Sequence, residues 1–211
     1  SAERTQHVFT KAGETKVMSW ELAASGYAAV WATENTREAL WDAMKRKEVY
    51  ATTGPRMVVR FFGGWDFKST DAHSRQPAAI GYSKGVPMGG DLHNAPKGKS
   101  PSFMVAALKD PIGANLDRIQ IVKGWVDSRG EVQEQVYHAA WGEADKRKPD
   151  AKTGQLPALS STVDVANASW TNTIGDPELI AVWKDPDFDA RRRAFYYARV
   201  IEIPTPRWTA Y

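Results

Sequence analysis

The sequence predicts a mainly β protein: an antiparallel β-sandwich of about seven strands, preceded by a helical segment. Two observations carry this. Short runs rich in β-branched and aromatic residues recur from Met57 onward, divided by turn chemistry at Asp110-Pro111, Ser128-Arg129-Gly130, Gly175-Asp176-Pro177 and Asp185-Pro186. Before them, within residues 34–65, a helical pattern gives way to a strand pattern.

Asn35 followed three residues later by Glu38 has the form of a capping box, which starts a helix at about Thr36. Ala39, Leu40, Ala43 and Met44 recur at helical spacing, and Lys45, Arg46 and Lys47 put positive charge where the helix dipole is negative. Val49, Tyr50, Thr52 and Thr53 then bring in strand formers, and Gly54-Pro55 punctuates. Met57, Val59 and Phe61 next alternate with Val58, Arg60 and Phe62. A domain boundary is expected at Gly54-Pro55, dividing an arm and helix (1–54) from the sandwich (55–211). Upstream, Val17, Trp20, Glu21 and Leu22 admit a helical turn, and the apolar run 27–31 reads as a buried strand or as an arm against the helix.

Residues 66–92, rich in Gly, Ser, Pro and Asp, read as one long loop. Further strands are expected at 102–108, 117–125, 131–138, 162–169, 179–183 and 194–203, with a solvated polar loop between His138 and Leu159.

Composition narrows the function. With no cysteine, disulfides, thiolate nucleophiles and zinc-finger sites are excluded. A net charge of +3 over nearly balanced acids and bases, with basic runs only at 45–47, 146–148 and 191–193, does not make the concentrated basic face that nucleic acids require. No apolar run reaches membrane-span length, and SAERTQHVFT lacks the charged head and apolar middle of a signal peptide. So abrupt a beginning reads as a chain that has lost its own start.

The candidate chemistry is sparse. His7, His73, His93 and His138 are scattered. Asp91 and His93, or Asp71 and His73, could turn to one side of an extended segment, though a polar loop end explains them as well. Asp185, Asp187 and Asp189 have the spacing of a calcium loop, but its Gly and Glu positions hold Ala190 and Tyr196, so a solvated turn is expected. There is no nucleophile elbow and no phosphate loop. Trp65, Trp125, Trp141, Trp170, Trp183 and Trp208 read as core or interface fillers, or, if exposed, as surfaces for stacking on a sugar or base.

Five strings taken together are more specific: ENTREALWDAMKRKEVYATTGPR, VRFFGGWDF, GVPMGGDL, KDPIGANLDRIQIVKGW and AFYYARVIEIPTPRW. Across residues 26–211 the chain resembles the C-terminal portion of a bacterial family catalogued as domain-of-unknown-function family 3604. Members of that family in turn resemble the polymerase-and-histidinol-phosphatase (PHP) superfamily of metal-dependent hydrolases. In those, a distorted α/β barrel holds a metal cluster through histidines and carboxylates. The ligand motifs, an early His-x-His and a late Asp-x-His, lie upstream of the resembling segment, and no residue here matches them. The resemblance therefore implies no catalytic or metal residue and no cofactor in this segment, with a divalent metal belonging to the barrel.

It further implies that residues 35–50 form the closing helix of that barrel and that residue 55 begins the sandwich. The expected function is a non-catalytic accessory region of a hydrolase acting on phosphoesters, esters or carbamates, with the upstream barrel of its own chain as partner. Arg56, Asp91, Lys123 and Arg207 are the polar residues expected to face the cleft or the domain interface, unless they serve as surface salt bridges and strand caps. Apolar surface near residues 27–31 and 40–44 is expected to drive self-association through the arm. The alternative is a stand-alone glycan- or protein-binding sandwich. An autonomous hydrolase would need a convergent histidine and carboxylate cluster.

Overall fold

The structure, a computed structural model, describes residues 8–12, 15–18 and 26–206. Strands β1 (Val8–Ala12) and β2 (Thr15–Met18) pair with each other. Strand β3 (Tyr27–Val30), helix α1 (Arg37–Lys45) and strand β4 (Val49–Thr52) follow, with β3 and β4 antiparallel. Then come β5 (Val58–Gly64), α2 (Ser69–Ala72), α3 (Pro77–Lys84), β6 (Gly85–Pro87), β7 (Ser102–Leu108), β8 (Leu116–Val126), β9 (Val132–Trp141), β10 (Glu178–Lys184) and β11 (Ala194–Glu202). They form an antiparallel four-stranded sheet in the order β10-β7-β5-β6 and an antiparallel three-stranded sheet in the order β11-β8-β9.

One apolar cluster joins the two sheets. Alternation sends Val59 and Phe61 of β5 and Phe103, Val105 and Ala107 of β7 to the same interior as Leu116, Ile119 and Ile121 of β8, all buried. Phe61 and Phe103 stack with centroids 5.4 Å apart. Opposite residues on β5 and β7, Phe62 and Met104, turn to the outer side and meet Phe67. Helix α3 packs there because Gly81 has no side chain: a Cβ at that position would lie 2.6 Å from the Phe62 ring.

Several sequence expectations change in detail. Helix α1 is capped by Thr36, whose hydroxyl accepts from the Ala39 N–H at 3.3 Å, one residue after the Asn35 cap read from the sequence. Residues 66–92 are not one loop. Two short helices form here, one started by Pro77 and the other by the Asp71 carboxylate accepting from the Lys68 N–H at 2.8 Å, and β6 follows. Residues 162–169 are not a strand but a turn, closed by the Asp164–Ser169 bridge and by Asp164 Oδ1 accepting from the Ala166 and Asn167 N–H groups. Strand β6 takes its place, so the two large sheets again hold seven strands. Val17 lies in β2, and Trp20, Glu21 and Leu22 fall outside the described residues.

The loop after β9 is not solvated throughout. Leu156 is buried, and the Arg118 and Arg147 guanidinium groups both reach Asp117 while donating to the carbonyls of Leu156 and Pro157. Arg147, from the basic run at 146–148, thus belongs to an internal clamp, while Lys146 and Lys148 stay exposed.

Two carboxylates make the fold sensitive to acid. The Lys68 N–H and then the Lys84 ammonium hold the Asp71 carboxyl below its ordinary value of 3.8. Asp110 is likewise held below 3.8, first by the Arg56 N–H at 2.6 Å and also by Ile112. A depressed folded pKa gives stability that is present above the unfolded value and lost as pH falls through the folded one. Urea midpoints should therefore drop between about pH 4 and pH 2. The Asp71→Asn, Asp110→Asn variant should show a shallower drop, and an unchanged acid slope would contradict the assignment.

Candidate functional site

Alternation along β8 puts Lys123 on the inner face with Ile119 and Ile121, where a charge has no water. It is met there by Asp185, which is 1 % exposed and follows directly on β10. Lys123 Nζ donates to Asp185 Oδ2 at 2.7 Å and to the Asp187 carbonyl at 2.8 Å. The Tyr196 hydroxyl donates to the same Oδ2 at 2.6 Å, and the Asp187 N–H occupies Oδ1 at 2.8 Å. Tyr137 adds a bond from its hydroxyl to Asp187 Oδ2 at 2.8 Å. Burial, and then the adjoining carboxylates, raise the Tyr196 and Tyr137 pKa values far above the ordinary 10.0, so both hydroxyls stay protonated donors.

Aromatic rings wall this centre. Phe103 lies 4.4 Å from Tyr196, Tyr137 lies 4.8 Å from Trp183, and the Lys123 ammonium sits 5.5 Å from the Trp125 ring. A small cavity of ≈ 120 Å³ opens beside it, bordered by Lys123, Trp125, Phe188, Arg192 and Tyr196. Asp185 is thus not the solvated turn residue expected from the sequence. Its oxygens are taken by protein donors, which makes the group an ion-paired end-piece between the sheets.

On the other side of Tyr196 runs a larger cleft of ≈ 580 Å³. Its floor is apolar, built from Met57, Phe61, Phe103 and Tyr196, and its walls are β4, β11 and the stretch after β6.

A third cluster spans Gly54-Pro55. Glu48, buried, accepts from Arg60 Nη1 at 3.3 Å, from Arg46 Nη2 at 3.4 Å and from the Tyr82 hydroxyl. The Arg60 guanidinium lies 3.3 Å from the centroid of the Trp31 ring, whose indole N–H donates to the Val59 carbonyl at 2.9 Å. Tyr50 reaches across too, donating to the Met57 carbonyl at 3.0 Å. The helical arm is thereby fastened to β5 and α3.

The four polar residues singled out from the sequence do not share one site. Arg56 is exposed, and its backbone N–H caps Asp110 beyond the end of β7. Lys123 lies toward the other end of β7, where the Asp185 N–H meets the Pro101 carbonyl at 3.0 Å. Asp91 is exposed, and Arg207 lies outside the described residues. Among the tryptophans, Trp65 donates to the His93 carbonyl and Trp141 to the Arg147 carbonyl, while Trp183 packs on Phe103; Trp208 is outside the described residues. Among the described residues, no group of three or more His, Asp or Glu is placed to hold a metal ion, and no helix is long and apolar enough to cross a membrane.

The fold and these clusters define a mainly β protein of antiparallel sheets, with a buried lysine–aspartate–tyrosine centre and a helical arm latched to one sheet. The chain belongs to the family described as Protein of unknown function (DUF3604), whose model matches residues 1–211. Neither a curated protein nor a solved structure matches it.

Proposed function

We propose that the chain is a non-catalytic accessory region of a larger PHP-like metal-dependent hydrolase, seated against a barrel that carries the metal and cleaves a phosphoester, ester or carbamate. The observation that carries this reading is the outer face of α1. The helix buries Ala43 against the rest of the fold but leaves Trp41 65 % and Met44 51 % exposed, with Leu40 beside them lining a wide surface hollow. Tyr27 and Val49 of the adjoining strand pair are exposed as well. An indole and a thioether held out on a short helix supply the apolar anchor of an interdomain contact.

The Glu48–Arg60–Trp31 cluster supports the same reading, because it makes the arm a fixed platform on the double sheet rather than a loose tail. In this account Gly54-Pro55 is the boundary between the part that completes the barrel and the sandwich that follows. Arg56 and Asp91, being exposed, are candidates for polar contacts with the barrel away from that anchor, with Arg207 a further one.

The test is to produce the chain and the upstream region of its protein as separate polypeptides and measure their association by analytical ultracentrifugation. Trp41→Glu with Met44→Glu is expected to weaken the complex by about a hundredfold, since truncating anchor residues typically costs about 2 kcal/mol or more. The melting temperature of the chain itself should shift little, because both side chains are exposed. In the isolated chain, the same two substitutions should abolish any concentration-dependent self-association. Undiminished association of the doubly substituted chain would overturn the reading.

A further inference from the structure

The cleft behind Tyr196 has the construction of a vacant strand position. Two consecutive stretches of backbone line it, residues 49–53 along β4 and residues 196–200 along β11. Strand β3, which pairs with β4, does not line it, and neither does β8, which pairs with β11. The edges facing the cleft are therefore those without a partner strand among the described residues, each a row of outward N–H and C=O groups. Among the described residues, no backbone hydrogen bond outside the ladders leaves residues 49–52 or 196–200. The chain does not fill the gap with β6, which is only three residues long. After β6 the Met88 N–H bonds the Phe61 carbonyl, and Gly89, at φ +81°, brings the backbone in close under Lys47, where a Cβ would lie 2.2 Å from the Lys47 carbonyl oxygen.

We propose that this cleft takes an extended segment donated by another polypeptide, which pairs with the free edge of β11 and joins β9-β8-β11 toward β4-β3. Three features specify the occupant. Backbone pairing on a free edge calls for a peptide; an acyl chain would leave both rows of polar groups unpartnered. The apolar floor of Met57, Phe61 and Phe103 requires every second side chain of the peptide to be apolar. Arg199 is the one charged residue among those lining the cleft, so a carboxylate on the flank of the peptide complements it. Along residues 194–200 β11 has no proline, no lysine and no bulge to guard an open edge, Arg199 being its one charge.

The experiment selects random displayed octapeptides against the full chain. Peptides with apolar residues at alternate positions should be enriched, and the corresponding synthetic peptides should shift the amide resonances of residues 196–200. N-methylation of alternate peptide nitrogens, which removes the pairing donors and leaves the side chains, should weaken binding by about tenfold or more. Enrichment without alternation overturns the proposal, as does binding that survives N-methylation, or a selection that enriches nothing. Binding of a dansylated fatty acid in the cleft while no peptide is enriched would assign the space to an acyl chain and equally overturn it.

Discussion

Lys123→Met is expected to destabilise the protein by about 3–5 kcal/mol, the cost of leaving one member of a buried ion pair without its partner. The aspartate side chain shows no exposed surface and the lysine 7 %, so water cannot replace the ammonium. After the substitution Asp185 would keep only the Tyr196 hydroxyl and the Asp187 N–H. The effect should be far larger than that of Tyr196→Phe, which removes one hydrogen bond to the same oxygen and costs about 1–2 kcal/mol. Replacing both charges, as Lys123→Met with Asp185→Leu, should recover most of the loss, because a well-packed apolar pair is often as stable as the ion pair it replaces. Urea unfolding of the three variants checks this. Equal destabilisation by the single and double replacements would show that shape, not charge, holds the site.

Glu48→Ala is expected to cost about 2–3 kcal/mol and to loosen the arm rather than the sandwich. Glu48 is the common acceptor of Arg60, Arg46 and Tyr82, so its removal takes an acceptor from all three at once, leaving Arg60 its bond to the Tyr82 hydroxyl and Arg46 its bond to the Trp31 carbonyl. Arg60 keeps about a fifth of its side chain in solvent and its contact with Trp31, which is why the expected loss is smaller than at Lys123. Amide exchange should quicken in β3, α1 and β4, with β7 and β8 unchanged. Tryptic cleavage after Lys45, Arg46 or Lys47 should quicken as well. Uniform quickening through β7 and β8 would contradict a latch confined to the arm.

Most of the sheet architecture was legible in local pattern. Runs of β-branched and aromatic residues between turn signals located β5, β7, β8, β9, β10 and β11, and β5 also showed a clear alternation of residues along the strand. The turn at residues 162–169 misled because Thr162, Val163 and Val165 carry strand propensity while Asp164 and Asn167 supply a local hydrogen-bonded alternative. The short helices after β5 were hidden by Gly, Ser and Pro, whose meaning there depends on Gly81 receiving the Phe62 ring, a contact that joins distant residues.

The polar clusters were less legible for the same reason. Lys123 was singled out only as a residue facing a cleft or domain interface, whereas it is buried between the sheets. Its partner could not be read, since Asp185 lies 62 residues away in a segment that has the appearance of a turn. Glu48 and Arg60 likewise meet only once β4 and β5 are placed. The cleft between β4 and β11 is invisible in principle to local pattern, being defined by two strand edges that have no partner among the described residues.

The accessory role is tested most directly by metal analysis and hydrolysis assays on the purified chain, alone and then joined to its upstream region. The account predicts far less than one tightly bound divalent ion per chain, and no hydrolysis of p-nitrophenyl phosphate or p-nitrophenyl acetate by the chain alone, with metal-dependent activity arising only when the upstream region is present. About one zinc, iron or manganese ion per isolated chain, accompanied by turnover that a chelator abolishes, would contradict it.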